Sequence, residues 1–340
     1  MRVSFGLFAA AALMTSVAGT TAAYAEEVNL YSYRQEKLIR PILDEFEKDT
    51  GIKVNVVFAK KGMLQRLKSE GMNSPADAIL TTDISRLQAH KAAGVLQSVS
   101  SDKLNANIPS QYRDPEGVWY GLTVRSRVIF FAKDRVKAEE LSTYEDLADP
   151  KWKGRICIRS SSNVYNQSLM ASMIANLGAE AAEKWAAGIK ANLARKPQGG
   201  DRDQIKAAAA GECDVAVGNT YYYGKMVNGK DEAQKAAAAK TAMFWPNQDG
   251  RGAHVNISGA AVTKASKNKE AAIKLIEFLS GEKAQKFYAS SNYEYPVLAG
   301  VELDGTVASW GKPKFDVIGL DKVADSQVEA VKIFDRVGWR

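Results

Sequence analysis

Residues 28–59 read VNLYSYRQEKLIRPILDEFEKDTGIKVNVVFA. The first six alternate apolar and polar side chains, the period of a strand with one buried face. Residues 38–51 repeat apolar positions at helical spacing and stop at Gly51, and KVNVVFA returns to a strand. Strand, helix and strand in so short a span make a parallel βαβ unit. The rhythm continues through a short helix at 63–69, an apolar strand DAILTTD (77–83) and a helix at 84–93 closed by Gly94. An α/β fold with a mostly parallel sheet is therefore predicted.

A second set follows the long apolar stretch VWYGLTVRSRVIFFAK (118–133). STYEDLADPKWKGRICIRSS approaches a strand, NQSLMASMIANLG, AAEKWAAGIKANL and RDQIKAAAAGE have helical spacing, and CDVAVGN (213–219) is a strand. HVNISGAAV (254–262) then reads as a strand returning to the first unit, before a strong helix at 268–281 and a last one near 326–337. Two such sets predict two lobes joined by crossing strands. In open α/β sheets ligands sit beyond the carboxyl ends of the strands, so facing lobes would enclose a cleft there.

The first residues resemble an export leader: Arg2, the apolar run FGLFAAAALM, and Ala23 and Ala25 as a small-x-small cleavage site. Residues 1–25 are expected to be removed. The apolar run is shorter than the roughly 20 residues of a bilayer span, and no second run of that length follows. The formal charge of +7 is spread rather than massed in one block, which suits an anionic ligand or simple solubility and gives no nucleic-acid signature. The two cysteines, Cys157 and Cys213, lie on or beside apolar strands, where a disulfide is favoured over two buried thiols in an exported chain. A cysteine-based metal site lacks the required spacing.

Arg125 and Arg127 sit two apart within an apolar strand and so share a face. Two readings stand open: a solvated strand edge, or a wall facing an anion. His90 and His254 are far apart in sequence and accompany no nucleophile motif, and each reads as a structural histidine. Tyrosine is the unusual supply, thirteen in all. GNTYYYGKM (218–226) places Tyr221, Tyr222 and Tyr223 directly after a strand end, and one packed core face cannot use all three. Tyr31, Tyr33 and Tyr165 also lie in or just past predicted strands. Taken alone, these phenols favour packing or stacking on a ligand; a hard trivalent cation would instead convert them into anionic oxygen donors.

Several phrases, in order along essentially the whole chain after the leader, resemble the periplasmic ferric-iron-binding proteins of iron ABC transporters, the FbpA and FutA families. They include NLYSYRQ, SSNVYNQS, GNTYYYG, FWPNQDGRGAHVNISG and NYEYPVLAG. The resemblance implies a two-lobed type II periplasmic-binding-protein fold with the ligand cleft between lobes, a non-enzymatic role, and a periplasmic location. It implies Tyr165, Tyr221 and Tyr222 as Fe(III) ligands. Many family members carry an Arg-His-Tyr run after the first strand; here the stretch is Arg34, Gln35, Glu36, so the first-lobe ligands are replaced.

A synergistic carbonate or similar anion is expected to fill the open positions, held by Arg34, Gln35 and Arg125. Tyr33, Glu36 and Tyr223 are assigned as additional or outer contacts. The expected partner of this monomer is an inner-membrane ABC permease, to which it would deliver captured Fe(III). The lobes are expected at 26–124 with 252–302, and at 125–251 with 303–340. Two other readings are carried: a same-fold binding protein for a small organic cation such as thiamine or a polyamine, and, ranked lower, a polysaccharide lyase with a tyrosine base.

Overall fold

The computed structural model describes residues 26–303 and 305–340; the expected leader lies outside the described residues. The opening strand β1 (Glu27–Ser32) pairs in parallel with β2 (Lys53–Phe58) and β3 (Ala78–Thr81), as the alternation at 28–59 predicts. Between β1 and β2 runs the helix Glu36–Thr50, whose Ile39, Ile42, Leu43 and Phe46 are buried at helical spacing.

A single long strand, β4 (Tyr120–Ala132), then passes from one lobe to the other. Its first half pairs antiparallel with β8 (Val255–Val262), Arg125 opposite Asn256 and Ser126 opposite Val255. From Arg127 onward its partner is β6 (Val215–Asn219), with Arg127 opposite Asn219. The crossing therefore falls between Ser126 and Arg127. The second lobe adds β5 (Ile156–Cys157), parallel to β6, and β7 (Thr241–Phe244), antiparallel to β4. The first lobe is completed by β8 against β3 and by β9 (Tyr295–Pro296) against β4. The chain returns toward the first lobe past Gly252, whose φ of +95° and approach to the backbone of residues 314–316 exclude a side chain.

Alternation along β4 divides the second-lobe core into two sides of one sheet. Ile129 and Phe131 join Leu147, Met173, Trp185 and Ile333 on one face. Val128 and Phe130 join Ile205, Ala216 and Met226 on the other. Cys157 and Cys213 lie on that second face as a disulfide. The first-lobe core gathers Leu30, Phe46, Ile79, Leu122 and Ile257. It also takes Val307 and Leu320, beyond the expected boundary at 303, whereas Val323 and Ile333 pack in the second lobe. The last segment thus spans both lobes. Trp245, Tyr295 and Phe315, with ring centroids 5.4–6.1 Å apart, hold its first part to the first lobe.

Candidate functional site

Two helix starts carry the three phenols singled out in the sequence. Tyr221 and Tyr222 lie in the first turn of the helix Thr220–Asn228, immediately after β6. Tyr165 lies in the first turn of the helix Val164–Leu177, not on or just past a strand, because Asn163 caps that helix by accepting from Tyr165 N at 3.1 Å. The unsatisfied amides of a helix start favour negative charge, so each phenol occupies a position that suits a phenolate. All three line one cleft of about 370 Å³. Across it stand Tyr33, Arg34, Gln35 and Lys37, with Arg125 entering from β4.

The Tyr221 and Tyr222 rings lie 4.4 Å apart at 38°. Burial, then the neighbouring Tyr165 and Tyr222, push the Tyr221 phenol well above its usual range against the pull of Arg125. Burial, Tyr165 and Asp201 push Tyr222 up to about 12. With no cation these two phenols stay protonated near neutral pH. Their mutual influence also shows that the oxygens share one space. Bringing a trivalent cation into that space would reverse the balance and release the protons. Among the described residues no group of three His, Cys, Asp or Glu side chains is placed to hold a metal, which leaves phenol oxygens as the hard donors in the cleft.

Beneath Tyr221, Asn219 Nδ2 donates to the phenol oxygen at 3.4 Å. Its Oδ1 accepts from Arg127 Nη1 at 3.1 Å, and its backbone N–H donates to Asp201 Oδ2 at 2.9 Å. Asp201 also pairs with Arg127 and Arg159. Arg125 and Arg127 are each 1% exposed, which removes the solvated-edge reading for both. They part company at the lobe crossing. Arg127 is consumed by Asp201 and Asn219, while Arg125 donates Nη1 to Ser258 Oγ at 2.6 Å and keeps Nε and Nη2 buried without a partner. A buried guanidinium with open donors beside three phenols is suited to hold an anion.

Arg34 is less open. Its Nη2 donates to Glu294 at 2.8 and 3.0 Å and to Ser258 at 2.7 Å, leaving Nε unpartnered. Glu294, which also accepts from Thr123, is held below the usual carboxylate range by Arg34 and Arg125 although its burial opposes this. Gln35 lines the cleft at the start of the helix Glu36–Thr50 and makes no side-chain cap bond. Glu36 instead pairs with Arg40 at 2.7 Å on the helix exterior, and it does not line the cleft. Tyr33 lies under the Arg86 guanidinium, 4.3 Å from its ring centre. Tyr223 turns away, stacking on Phe130 and donating to the carbonyls of Ala238 and Thr241. Tyr31 is engaged elsewhere, donating to Glu70.

Residues 57–324 match the bacterial extracellular solute-binding protein family. The chain belongs to that family. This solute-binding protein is 51% identical over 316 residues to Iron uptake protein A1 of Synechocystis, a match covering 93% of this chain and 88% of the relative. A structure from Trichodesmium in complex with iron and citrate ligands superposes with a TM-score of 0.89 at 47% identity, covering 92% and 100% of the two chains. Ferric iron-binding protein A of Mannheimia haemolytica, in an open conformation, gives 0.87 at 51% identity, covering 93% and 99%. The resemblance read from the motifs is thereby met, and the fold is the two-lobed type II periplasmic-binding-protein fold. These relatives are binding and uptake proteins rather than enzymes.

Both histidines of the solute-binding protein are built into its frame. His90 donates from Nδ1 to Arg86 O at 2.6 Å, and burial with Arg127, Arg125 and Arg251 nearby drives His254 down to about 3. Sequence reasoning missed three cleft residues. Glu294 was inside a quoted phrase, NYEYPVLAG, but its role depends on a partner 260 residues away. Lys225, four residues after Tyr221, was readable as a cleft residue from helical spacing alone. Burial, with Arg34, Arg202 and Lys37 nearby, pulls its ammonium down to about 8 against the attraction of Glu294. Arg202, which faces the Tyr222 ring at 5.5 Å, left no sequence signal. No helix among the described residues is long and apolar enough to cross a membrane.

Proposed function

We propose that the protein captures Fe(III) in the periplasm through the phenolates of Tyr165, Tyr221 and Tyr222 and delivers it, as a monomer, to an ABC permease in the inner membrane. The observation that carries this reading is the convergence of three phenols from two helix starts on one cleft whose other side is cationic. Three phenolates balance the charge of Fe(III), and their hardness matches it. The names of the relatives, iron uptake protein and ferric iron-binding protein, support the same cargo. Loading releases phenolic protons, so acid competes with iron and favours release.

An anion completes the metal's coordination. Arg125, with two open donors, is its principal holder, helped by Gln35 and by the remaining donor of Arg34. Carbonate is the small candidate. A polycarboxylate such as the citrate seen with iron in the Trichodesmium relative is the larger one, and Lys225, Arg202 and Lys37 supply charge for it. Equilibrium dialysis of purified protein against ferric nitrilotriacetate, with and without added bicarbonate or citrate, tests the reading by metal analysis. One iron per chain, retained only with one of the anions, is the expected result. Retention of putrescine or thiamine in place of iron would favour the organic-cation alternative instead.

A further inference from the structure

The helix that bears Tyr221 and Tyr222 meets the opposite lobe at a residue with no side chain. A Cβ placed on Gly224 would lie 2.5 Å from Cγ, 2.7 Å from Cβ and 3.0 Å from Cδ1 of Tyr293. Real side chains do not approach so closely, so the ring rests directly on bare helix backbone. Gly224 belongs to the second lobe, where its neighbours Tyr223 and Met226 pack into the core containing Phe130. Tyr293 packs against the first-lobe core.

Tyr293 itself has φ of 58°, left-handed backbone that a residue with a β-carbon holds only where its surroundings over-determine it. The residue after it is Glu294, the partner of Arg34. One turn beyond Gly224, Asn228 Nδ2 donates to Thr306 Oγ1 at 3.0 Å, a second tie across the same seam. Val307, next to Thr306, packs in the first-lobe core. A glycine inside a helix weakens it relative to alanine, so helix propensity gives no reason for one here. The close approach does.

We propose that Gly224 and Tyr293 form a positioning pair: the Tyr293 ring seats on the helix when the lobes close and sets the spacing between Tyr221 and Tyr222 on one side and the Arg34–Glu294 pair on the other. This rests on the iron reading above, because the spacing matters only if both sides address one cargo. Neither residue touches that cargo; both act through the elements that do.

The test uses full-length mature protein carrying Gly224→Ala, Tyr293→Gly, or both, loaded with ferric nitrilotriacetate and bicarbonate. Three readouts are taken: the visible phenolate-to-iron band, the rate of iron loss to excess EDTA, and the X-ray scattering profile with and without iron. Gly224→Ala is expected to keep the band at saturation, since all three phenols remain. It should lose iron about tenfold faster or more, as expected for a contact overfilled by one methyl, and should fail to compact on loading. Its iron-free melting temperature should hold or rise, because alanine is the better helix residue and the seat is idle in the open state. Tyr293→Gly removes the ring and relaxes the backbone, so it should also speed release, and adding Gly224→Ala to it should change nothing further.

Wild-type release and compaction in Gly224→Ala, or effects of the two substitutions that simply add, would overturn the pair. Should Gly224→Ala not fold, wild-type release in Tyr293→Gly would overturn it equally. Absence of the visible band from the wild-type protein would instead defeat the iron reading, and the scattering comparison would remain as a test of the seat.

Discussion

The second-lobe wall of the cleft presents three neutral phenols on two helix starts, whereas the first-lobe wall presents Arg34, Gln35 and Lys37 around a carboxylate, Glu294, that is already ion-paired. One side offers oxygen donors that become useful when they lose protons. The other offers cations whose charge is partly spent before any ligand arrives. The difference teaches that the two lobes have separate tasks: the phenols address the metal, the cations address its companion anion, and closure brings both to one cargo.

Acid should break that division most strongly. Burial and neighbouring groups hold the Tyr221 and Tyr222 phenols above their usual range, so both are protonated in the metal-free protein at neutral pH. Iron must displace those protons, and apparent affinity therefore rises with pH and falls as acid is added. The slope is roughly tenfold per pH unit for each proton released, approaching a thousandfold if all three phenols titrate with binding. Competition titrations between pH 6 and 8 against a chelator of known protonation behaviour measure it. A flat profile would remove the phenolates.

Tyr221→Phe deletes one donor and keeps the ring, so the fold should survive. Iron affinity should drop by more than about a hundredfold, beyond what loss of a mere supporting partner brings, and the visible band should shrink. Tyr223→Phe gives the internal contrast, since its hydroxyl serves the Ala238 and Thr241 carbonyls and should leave iron binding unchanged.

On the cationic wall, Arg125→Ala should weaken anion-dependent iron retention by about tenfold or more, the scale of one charge-assisted contact. Arg34→Ala should do less to the anion and more to the fold. It strands Glu294, and breaking a buried pair from one side costs about 3–5 kcal/mol. Thermal unfolding of Arg34→Ala, and its recovery when Glu294→Gln is added, checks that assignment.

The smallest effect on iron is expected from the disulfide. Cys157 and Cys213 are 56 residues apart and lie behind the second-lobe sheet, away from the phenols. Replacing both by serine should lower stability by about 2–5 kcal/mol, as loss of a native cross-link does. Iron affinity per folded molecule should change little. Denaturant unfolding alongside the iron titration separates the two.

Much of this arrangement was legible in the sequence because its signals are local. The alternation at 28–59 placed β1 and β2, and the three adjacent tyrosines announced that they could not share one packed face. Tyr221 and Tyr222 face the cleft while Tyr223 joins the core, as that spacing requires. The disulfide too was within reach, since both cysteines flank strands of one sheet. Relations between distant segments were not legible. Glu294 neutralising Arg34, Val307 and Leu320 returning to the first-lobe core, and the separate fates of Arg125 and Arg127 all depend on where β4 changes lobes. A period-two pattern cannot reveal that point, because the alternation continues unbroken through the crossing.

A visible absorption titration of metal-stripped protein with ferric nitrilotriacetate, with and without bicarbonate, tests the central claim most directly. A broad band that saturates at one iron per chain, and that is largely lost in Tyr221→Phe, is the predicted result. A colourless titration, or a band indifferent to Tyr221→Phe, would contradict it.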